Sequence, residues 1–502
     1  EEDAKFSAND IDELYVNWSR NFDNKKGGPN RAPKFPIPNN YEFLLRYAHQ
    51  TNNTEALDHV KLTLDEMSFG GIYDQVGGGM ARYSTDADWK VPHFEKMLYD
   101  NAQLVSLYAM AYQKFNDENY KRLVYQTLDF VSRELMNEEG IFYSALDADS
   151  EGEEGKFYIW TQEELESAFG NDYKLMSSYY NVNRKGLWEH DNYILLRDQS
   201  DETFATENNI SIEELYAVVD KNRKALMDVR EGRVRPGLDD KSLTSWNAMM
   251  LKGYVDAYQA FGEKRFLTTA LQNADFIINK QMRSDGALYH SYKNGKSSIN
   301  GYLEDYAFVI EAFLSLYEAS FDEQWLSKAD QLAQYCYKHF HNKENQMFYF
   351  TSDEDQALVA RKMEITDNVI PASNSSLAKS LFLLSHHLDN KTYYTTATEM
   401  LNNVKPHMSA YGSGYSNWAS LMMNEVYPFY EVAITGPETR EKLHGLNQHY
   451  IPNKLLSCTT KESQLPLLEN RYDDTISRYF VCVNKVCQLP TEDLNIALKH
   501  IK

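Results

Sequence analysis

The sequence predicts a mostly helical protein in which helical hairpins surround one central cavity. Apolar residues recur at i, i+3 and i+4 spacing over most of the chain, which is typical of amphipathic helices. A loop rich in glycine, aspartate and aromatic residues repeatedly precedes a helix with a polar opening, and a second amphipathic helix follows. The recurrences begin at His93, Lys241, Tyr302 and Ala372. Divergent copies of one hairpin favour a ring whose inner helices direct their polar starts into one cavity.

The periodicity locates the helices individually. A first helix is expected over 8–22, followed by a loop rich in glycine and proline. Further helices are predicted at 40–50, 55–69, 93–115, 117–136, 162–169, 211–230, 241–262, 264–282, 302–320, 323–341, 373–388, 391–405 and 415–425.

Short strand-like segments interrupt the helices and are expected to lie on one rim of the ring. They comprise 140–160, a hairpin over 286–298 with an Asn-Gly turn, and a hairpin of 347–353 with 357–365. Beyond Tyr427 the pattern changes to alternating strands and helices. The predicted domains are therefore a helical ring over 1–427 and a small α/β appendage over 428–502.

Composition excludes several classes of function. The chain has 502 residues and a net charge of −23, so it offers no basic face for nucleic acid or for an anionic membrane. It contains no apolar run of the roughly 20 residues that span a bilayer. Four cysteines do not make a disulfide framework, and free thiols are favoured at Cys482 and Cys487, although a bond between them is possible. We expect a cytoplasmic protein without a cofactor.

The densest group of chemically useful residues lies between Phe69 and Leu104. Five glycines are followed by acids, a tryptophan, a histidine and a lysine, which are the materials of a polar pocket. A structural ion-pair cluster at the start of a helix is the alternative interpretation. The residues concerned are Asp86, Asp88, Trp89, His93, Glu95, Lys96 and Asp100.

Four other groups are weaker candidates for the same cavity. Asp239 to Asn247 combines acids, a lysine and Trp246, and Glu304 is followed by Asp305 and Tyr306. Only one of the two adjacent carboxylates can face a shared centre, and Asp305 is the better candidate because Tyr302, Tyr306 and Phe308 frame it. The amide- and hydroxyl-rich stretch 367–374 suits sugar hydroxyls or helix capping, and capping is slightly favoured. The acidic stretch 147–154 lacks the spacing of an EF-hand, so we predict no metal site.

The motifs resemble those of one family over nearly the whole chain. Six segments resemble motifs of the YyaL/spermatogenesis-associated-protein-20-like proteins. They are APKFP at 32–36, the segment from Gly70 to Leu104, ALDADSEGEEGKFYIW at 145–160, DDKSLTSWNAMM at 239–250, GYLEDYAF at 301–308 and PASNSS at 371–376. The resemblance implies an (α/α)6 toroid of the six-hairpin glycosidase-like class, similar to N-acylglucosamine 2-epimerases. It also implies an N-terminal thioredoxin-like domain in the full-length protein.

The residues and the resemblance together favour a protein that processes or binds carbohydrate in an acidic cavity. An isomerase or epimerase activity is preferred, because removal of a proton beside a carbonyl needs bases such as histidine. A glycoside hydrolase with two carboxylates and a non-catalytic ligand- or client-binding module are the alternatives. The predicted catalytic residues are Asp86, Asp88, His93, Asp240, His290 and Asp305. The predicted substrate contacts are Tyr83, Trp89, Lys96, Asp100, Asp149, Trp160, Lys241, Trp246, Asn247, Tyr306 and Asn374.

Overall fold

The computed structural model describes residues 5–357 and 360–501. Most of its α-helices lie close to the segments that periodicity predicts, although those predicted from 93 and 241 begin later, where strand pairing ends. The short helices Tyr173–Tyr179 and Asp201–Glu207 are not predicted by the periodicity. In chain order they are α1 (Ala8–Ser19), α2 (Pro38–Thr51), α3 (Thr54–Phe69), α4 (Leu98–Phe115), α5 (Glu118–Glu134), α6 (Gln162–Phe169), α7 (Tyr173–Tyr179), α8 (Asp201–Glu207), α9 (Ile212–Glu231), α10 (Thr244–Phe261), α11 (Lys264–Phe276), α12 (Leu303–Ser320), α13 (Glu323–His339), α14 (Ser373–Leu388), α15 (Lys391–Met408), α16 (Ser416–Val426), α17 (Thr439–Leu446) and α18 (Leu494–His500).

Six helices form a closed inner ring. Each of α2, α4, α10, α12, α14 and α16 packs against the next, and α16 returns to α2. An outer helix covers each of them: α3, α5, α11, α13 and α15 follow their inner partners in the chain, and α1 packs beside α16. The predicted (α/α)6 toroid is therefore confirmed.

Inner and outer helices are joined by a recurrent two-residue turn. The first turn residue is left-handed and caps the inner helix, and the second is extended and opens the outer helix. Asn, Asp and Gly tolerate the left-handed conformation, and an Asn or Asp side chain at the second position accepts a backbone N–H of the new helix. The turns are Asn52-Asn53, Asn116-Asp117, Gly262-Glu263, Phe321-Asp322 and Asp389-Asn390.

At the other end, long loops return to the inner helices and asparagine side chains hold them. Asn247 Oδ1 accepts the N–H of Phe142 at 2.9 Å, and its Nδ2 donates to the Phe142 carbonyl at 3.0 Å. Asn101 holds Met80 in the same way, and Asn374 holds Phe348. We call these three residues the asparagine clamps. In α12 the hydroxyl of Tyr306 instead accepts the N–H of Leu288.

Small β-sheets cover this long-loop end. They are built from β1 (Tyr83–Ser84), β2 (Pro92–His93), β3 (Lys96–Met97), β4 (Ala145–Leu146), β5 (Asp149–Ser150), β6 (Glu153–Glu154), β7 (Leu238–Asp239), β8 (Ser242–Leu243), β9 (Tyr289–Lys293) and β10 (Lys296–Asn300). β1 pairs with β2 and β5 with β6, while β3-β4-β7 and β10-β9-β8 are three-stranded sheets.

The two predicted hairpins differ in outcome. β9 and β10 form the expected antiparallel pair around Asn294 and Gly295. Of the hairpin of 347–353 with 357–365, the described residues form only the isolated bridge of His341 with Phe348 and a bond from Phe350 N to the Lys362 carbonyl. Residues 358–359 of that prediction lie outside the described residues.

Two further units flank the ring. Helices α6–α9 enclose a separate small core that contains Trp160. After the ring, β11 (Tyr430–Thr435), β12 (Lys454–Thr459), β13 (Arg478–Val483) and β14 (Val486–Cys487) form a sheet in the order β12-β11-β13-β14, and α17 and α18 pack on its core. This appendage lies against the short-turn end of the ring, where Gln113 donates to the Asn447 carbonyl and Arg440 to the Tyr258 hydroxyl. Within the described residues, no helix has both the length and the apolarity to cross a membrane.

The expectation of free thiols at Cys482 and Cys487 is wrong. A two-residue turn at Asn484-Lys485 sets β13 and β14 antiparallel with the two cysteines directly opposite each other, and they are joined as a disulfide. The CxxxxC spacing is therefore that of a hairpin pair. Cys336 and Cys458 are buried free thiols.

Replacing Asn247 with alanine should destabilise the fold, because the N–H and carbonyl of Phe142 would remain buried without their partner. We expect a loss of roughly 2–4 kcal/mol in the free energy of unfolding, measured by urea denaturation. Asn495→Ala, on the exposed face of α18, is the matched control. Equal midpoints for the two variants would show that the clamp contributes nothing to stability.

Candidate active site at the long-loop end of the ring

The inner helices converge with their N-termini at the long-loop end, where a small cavity opens on the ring axis. The cavity has a volume of about 50 Å³, and we call it the mouth. Backbone N–H dipoles of the inner helices point toward it, which makes the end favourable for negative charge. Its lining comprises Asn39, Glu42, Ala102, Gln103, Ser106, Ala248, Met249, Lys252, Phe308, Glu311, Pro371, Lys379 and Asn417.

Asp305 and His290 form an oriented pair at the start of α12. The buried Asp305 accepts the N–H of Ser245 at 3.0 Å and that of Tyr302 at 2.9 Å. Its Oδ2 lies 2.8 Å from His290 Nδ1, which leaves Nε2 of the imidazole for another partner. Burial alone would lower the pKa of His290, but the hydrogen bond and charge of Asp305 outweigh it and raise the pKa.

Glu304 is the carboxyl group that shares the axial face of α12. It precedes Phe308 by four positions and Glu311 by seven, so the three side chains lie along one stripe of the helix. Burial, with the charge of Asp305 adding to it and that of His290 opposing it, raises the pKa of Glu304 to about 8. Glu304 therefore holds a proton at neutral pH, and the raised pKa of His290 makes its imidazole a stronger base than a free histidine.

Aromatic faces surround this group. Tyr302 packs its ring edge-on to His290 at 4.8 Å and stacks on Phe350 at 5.0 Å. The half-buried Trp246 contacts Tyr99 at 4.8 Å across the starts of α10 and α4. Flat apolar faces next to hydrogen-bonding groups suit a ring with hydroxyl substituents.

A second polar group lies at the start of α4. His93 stacks on Tyr83, and its Nδ1 lies 2.8 Å from Glu154 and its Nε2 3.6 Å from Glu95. Asp100 is buried, and its Oδ2 has no hydrogen-bond partner within the described part of the chain. Burial raises the pKa of Asp100 well above its usual range, with Arg82 opposing the shift.

A third carboxyl group lies between α14 and α16. Asp367 accepts the Ser375 hydroxyl at 2.6 Å and the N–H groups of Ala372 and Asn417. Burial raises the pKa of Asp367 to about 6 despite these donors. Each of the three groups therefore contains a carboxyl whose charged form is disfavoured by burial, namely Glu304, Asp100 and Asp367.

None of the predicted site residues is among the described lining of the mouth, and several have partners elsewhere. Asp86 accepts the N–H groups of Asp88, Lys90 and Val91 and so organises its own loop. Lys96 is buried in an ion-paired group with Asp74, which also binds Arg230. The remaining ones are the exposed Asp88, Asp149, Asp240 and Lys241, the fully buried Trp89 and Trp160, and Asn247, Tyr306 and Asn374, which hold backbone groups.

The structure also adds a deeper part of the cavity that the sequence analysis did not find. Glu42, Lys252, Glu311 and Lys379 line the inner side of the mouth and also a second cavity of about 280 Å³ toward the appendage. We call these four residues the neck and the second cavity the chamber. In the sequence, the neck residues could have been recognised as charged residues among apolar ones on an inner helix, as Lys252 is in α10. Among the described residues, no three His, Cys, Asp or Glu side chains converge as a metal site.

Comparisons with known proteins support both the resemblance and the fold. No family model matches the chain. Human spermatogenesis-associated protein 20 is 30% identical over 523 residues, which covers 94% of this chain and 66% of the human protein. An uncharacterized protein of Caenorhabditis elegans is 32% identical over 437 residues, 78% of this chain and 59% of that protein. The chain thus spans somewhat less than two thirds of these relatives.

Among solved structures, cellobiose 2-epimerase from Bacillus thermoamylovorans is similar with a TM-score of 0.52. The match has 11% sequence identity and covers 79% of this chain and 86% of the epimerase. At this identity the likeness shows the fold alone.

The raised pKa of Glu304 makes a prediction about stability. The folded state keeps the proton up to about pH 8, whereas the ordinary pKa is 4.5. Stability linked to this group is therefore present below pH 4.5 and is lost as the pH rises toward 8. The melting temperature of Glu304→Gln minus that of the unmodified chain should therefore increase as the pH rises from about 5 to about 9. Exposed Glu344→Gln is the control, and parallel curves for Glu304→Gln and the unmodified chain would show that the Glu304 pKa is ordinary.

Proposed function

The chain belongs to the spermatogenesis-associated-protein-20-like family and folds as a six-hairpin toroid, and from this premise we propose that it is a carbohydrate-processing enzyme. The reaction we propose is the epimerisation or isomerisation of a reducing sugar by proton transfer beside its carbonyl. One observation carries the proposal: at the start of the inner helix α12, the imidazole of His290 is oriented by the buried Asp305 and interacts electrostatically with Glu304, whose pKa is raised to about 8. The structural neighbour, a cellobiose 2-epimerase, has a name that denotes an activity of the same class.

The proposed chemistry divides the proton transfers between two groups. Nε2 of His290 takes the proton from the carbon beside the carbonyl, because Nδ1 is engaged by Asp305. Glu304 gives its proton to the carbonyl oxygen, so an enediol forms without a full negative charge. A proton returns to the same carbon while Glu304 takes back the proton of the first oxygen, which gives the starting sugar or its epimer. Alternatively, a proton returns to the neighbouring carbon while the hydroxyl proton of the second oxygen is removed, which gives the isomeric ketose or aldose.

Epimerisation requires a donor on the second face of the enediol. His93 is the candidate, since it lies at the start of the neighbouring helix α4 and is bound by two carboxylates. Trp246 and Tyr302 are the proposed supports for the sugar ring. Asp100 and Asp367 are proposed to bind hydroxyl groups as neutral or nearly neutral carboxyls.

Glycoside hydrolysis is the second candidate, and the state of Glu304 favours it. A hydrolase needs one carboxylic acid that is protonated at neutral pH to protonate the leaving group, and a second, ionised carboxylate.

A non-catalytic ligand-binding module is the third candidate. The disulfide of the appendage gives it no support, because Cys482 and Cys487 are absent from the described lining of both cavities.

Solvent exchange tests the proton-transfer proposal directly. The chain is incubated in D₂O with glucose, mannose, N-acetylglucosamine or cellobiose, and the H2 signal is followed by proton NMR. We expect loss of that signal, and a reduction of roughly 100-fold or more in its rate in His290→Gln and in Glu304→Gln. The exposed His407→Gln and Glu344→Gln should retain the full rate.

Other outcomes would decide between the alternatives. Release of glucose from cellobiose without exchange at C2 supports hydrolysis. Saturable sugar binding with neither exchange nor hydrolysis supports the binding module. Absence of any binding at millimolar sugar would refute a carbohydrate ligand.

The pH profile of exchange should reflect the same two groups. The rate should rise with pH as His290 loses its proton and fall as Glu304 loses its own near pH 8. In Glu304→Gln the slower residual rate should lack the alkaline fall. An unchanged alkaline limb in this variant would assign that titration to another residue.

A further inference from the structure

A separate cavity lies where the flanking unit of helices α6–α9 meets the ring. Arg122 on α5, Arg197 in the loop before α8 and Arg223 on α9 all line it, and we call it the arginine pocket. Its volume of about 30 Å³ is room for about two water molecules, so it suits a compact ligand. Its described lining shares no residue with that of the mouth or of the chamber.

The three guanidinium groups of the pocket outnumber the carboxylates that balance them. Asp201 is the carboxylate of the described lining, and it binds Arg197 at 2.9 Å. Asp220, which lies outside that lining, binds Arg122 at 2.8 Å. All three cations lie close to the hydroxyl of the buried Tyr180, because each of their charges opposes the rise to about 12 that burial causes in its pKa. Even with Asp220 counted, the pocket therefore keeps an excess positive charge, in a chain whose net charge is −23.

Arg223 is the cation without a counter-charge. Its Nη1 donates to the Val76 carbonyl at 3.3 Å, and its Nε is buried without a hydrogen-bond partner. Among the described residues, no carboxylate forms an ion pair with it. A half-buried guanidinium group in this state is costly, because it has lost part of its hydration without gaining an acceptor. It is also repelled by the other two guanidinium groups, most strongly where water is partly excluded.

The free hydrogen-bonding capacity of the pocket lies on its donors. The side-chain oxygens of Gln75 and Asn119 already accept from Arg197, at 3.2 Å and 2.8 Å. Arg122 and Arg223, by contrast, each donate one hydrogen bond within the described structure, although a guanidinium group has five N–H donors. A ligand that only accepts hydrogen bonds and carries negative charge matches both features.

We propose that the arginine pocket binds a compact oxyanion of the phosphate type. Its oxygens would accept from Arg122 on the ring and from Arg223 on the flanking unit, because the planar guanidinium fork matches the geometry of such an anion. The bound anion would supply the missing counter-charge and connect the flanking unit to the ring. The inference does not depend on the reaction proposed for the mouth.

Isothermal titration of the full chain with inorganic phosphate tests the proposal. We expect saturable binding, and a loss of affinity of roughly tenfold or more in Arg223→Gln and in Arg122→Gln. Chloride, titrated at the same ionic strength, should bind roughly tenfold or more weakly than phosphate, because it cannot engage the guanidinium forks bidentately. Arg184→Gln, which alters an exposed arginine of the flanking unit, is the matched control and should keep the affinity of the unmodified chain.

The melting temperature separates a ligand site from a structural role of Arg223. Phosphate should raise the melting temperature of the unmodified chain, because a ligand that binds only the folded state stabilises it. Without phosphate, Arg223→Gln should melt no lower than the unmodified chain, since it removes a charge that lacks a partner. In this variant phosphate should have little further effect. An equal loss of melting temperature with and without phosphate would show that Arg223 is structural and would overturn the proposal.

Three results of the titration would also contradict the proposal. Equal affinities for phosphate and chloride would show that the pocket does not select an oxyanion. Phosphate binding that is unchanged in both variants would place the anion elsewhere on the chain. Absence of binding at millimolar phosphate would leave the pocket to water. If Arg223→Gln does not fold, Arg122→Gln and Arg223→Lys, which keeps the charge but loses the planar fork, retain the test.

Discussion

Closure of the inner ring is the constraint on which the other features depend. The first and last inner helices are separated by more than 350 residues, yet Asn40 donates to the Ser413 carbonyl at 2.9 Å and to the Ser416 hydroxyl at 3.0 Å. Arg46 donates to the Ser420 carbonyl one turn further along. Because these contacts are polar and directional, they fix the register between α2 and α16 as well as their proximity. The arrangement of the inner helices around the ring axis is therefore set by residues far apart in the sequence.

The sequence predicts those parts of the fold that local physics determines. Helices follow from apolar periodicity, and the hairpin turns follow from Asn and Asp at positions that need a left-handed residue or a cap. The β9–β10 hairpin follows from Asn294 and Gly295. Tertiary partners are different, since nothing local indicates that Asn247 binds Phe142.

The glycine-rich stretch shows why the site was harder to predict than the fold. A Cβ at Gly70 would lie 2.3 Å from the Trp89 carbonyl, and one at Gly71 would lie 2.0 Å from the Lys90 carbonyl. These glycines therefore allow two segments of backbone to pack together. A similar distinction separates two neighbouring carboxyls: Asp305 is buried on backbone donors, while Glu304 shares the axial face. Adjacent residues on a helix point in different directions, so the exact position in the helix decides which carboxyl is buried and which faces the axis. Composition cannot reveal this.

The helical ring gives its two ends opposite electrostatic character. At the mouth, helix N-termini favour negative charge, which suits the partial charge that the proposed reaction would develop on a carbonyl oxygen. At the chamber, helix C-termini present the negative ends of their dipoles to a lining that carries four carboxylates and four cations. The neck lies between them with two acids and two lysines, Glu42, Glu311, Lys252 and Lys379. Equal numbers of acids and lysines leave the neck without a formal net charge, which would otherwise act on both cavities through a medium of low dielectric constant. The ring therefore holds two cavities on one axis, and a charge-balanced neck lies between them.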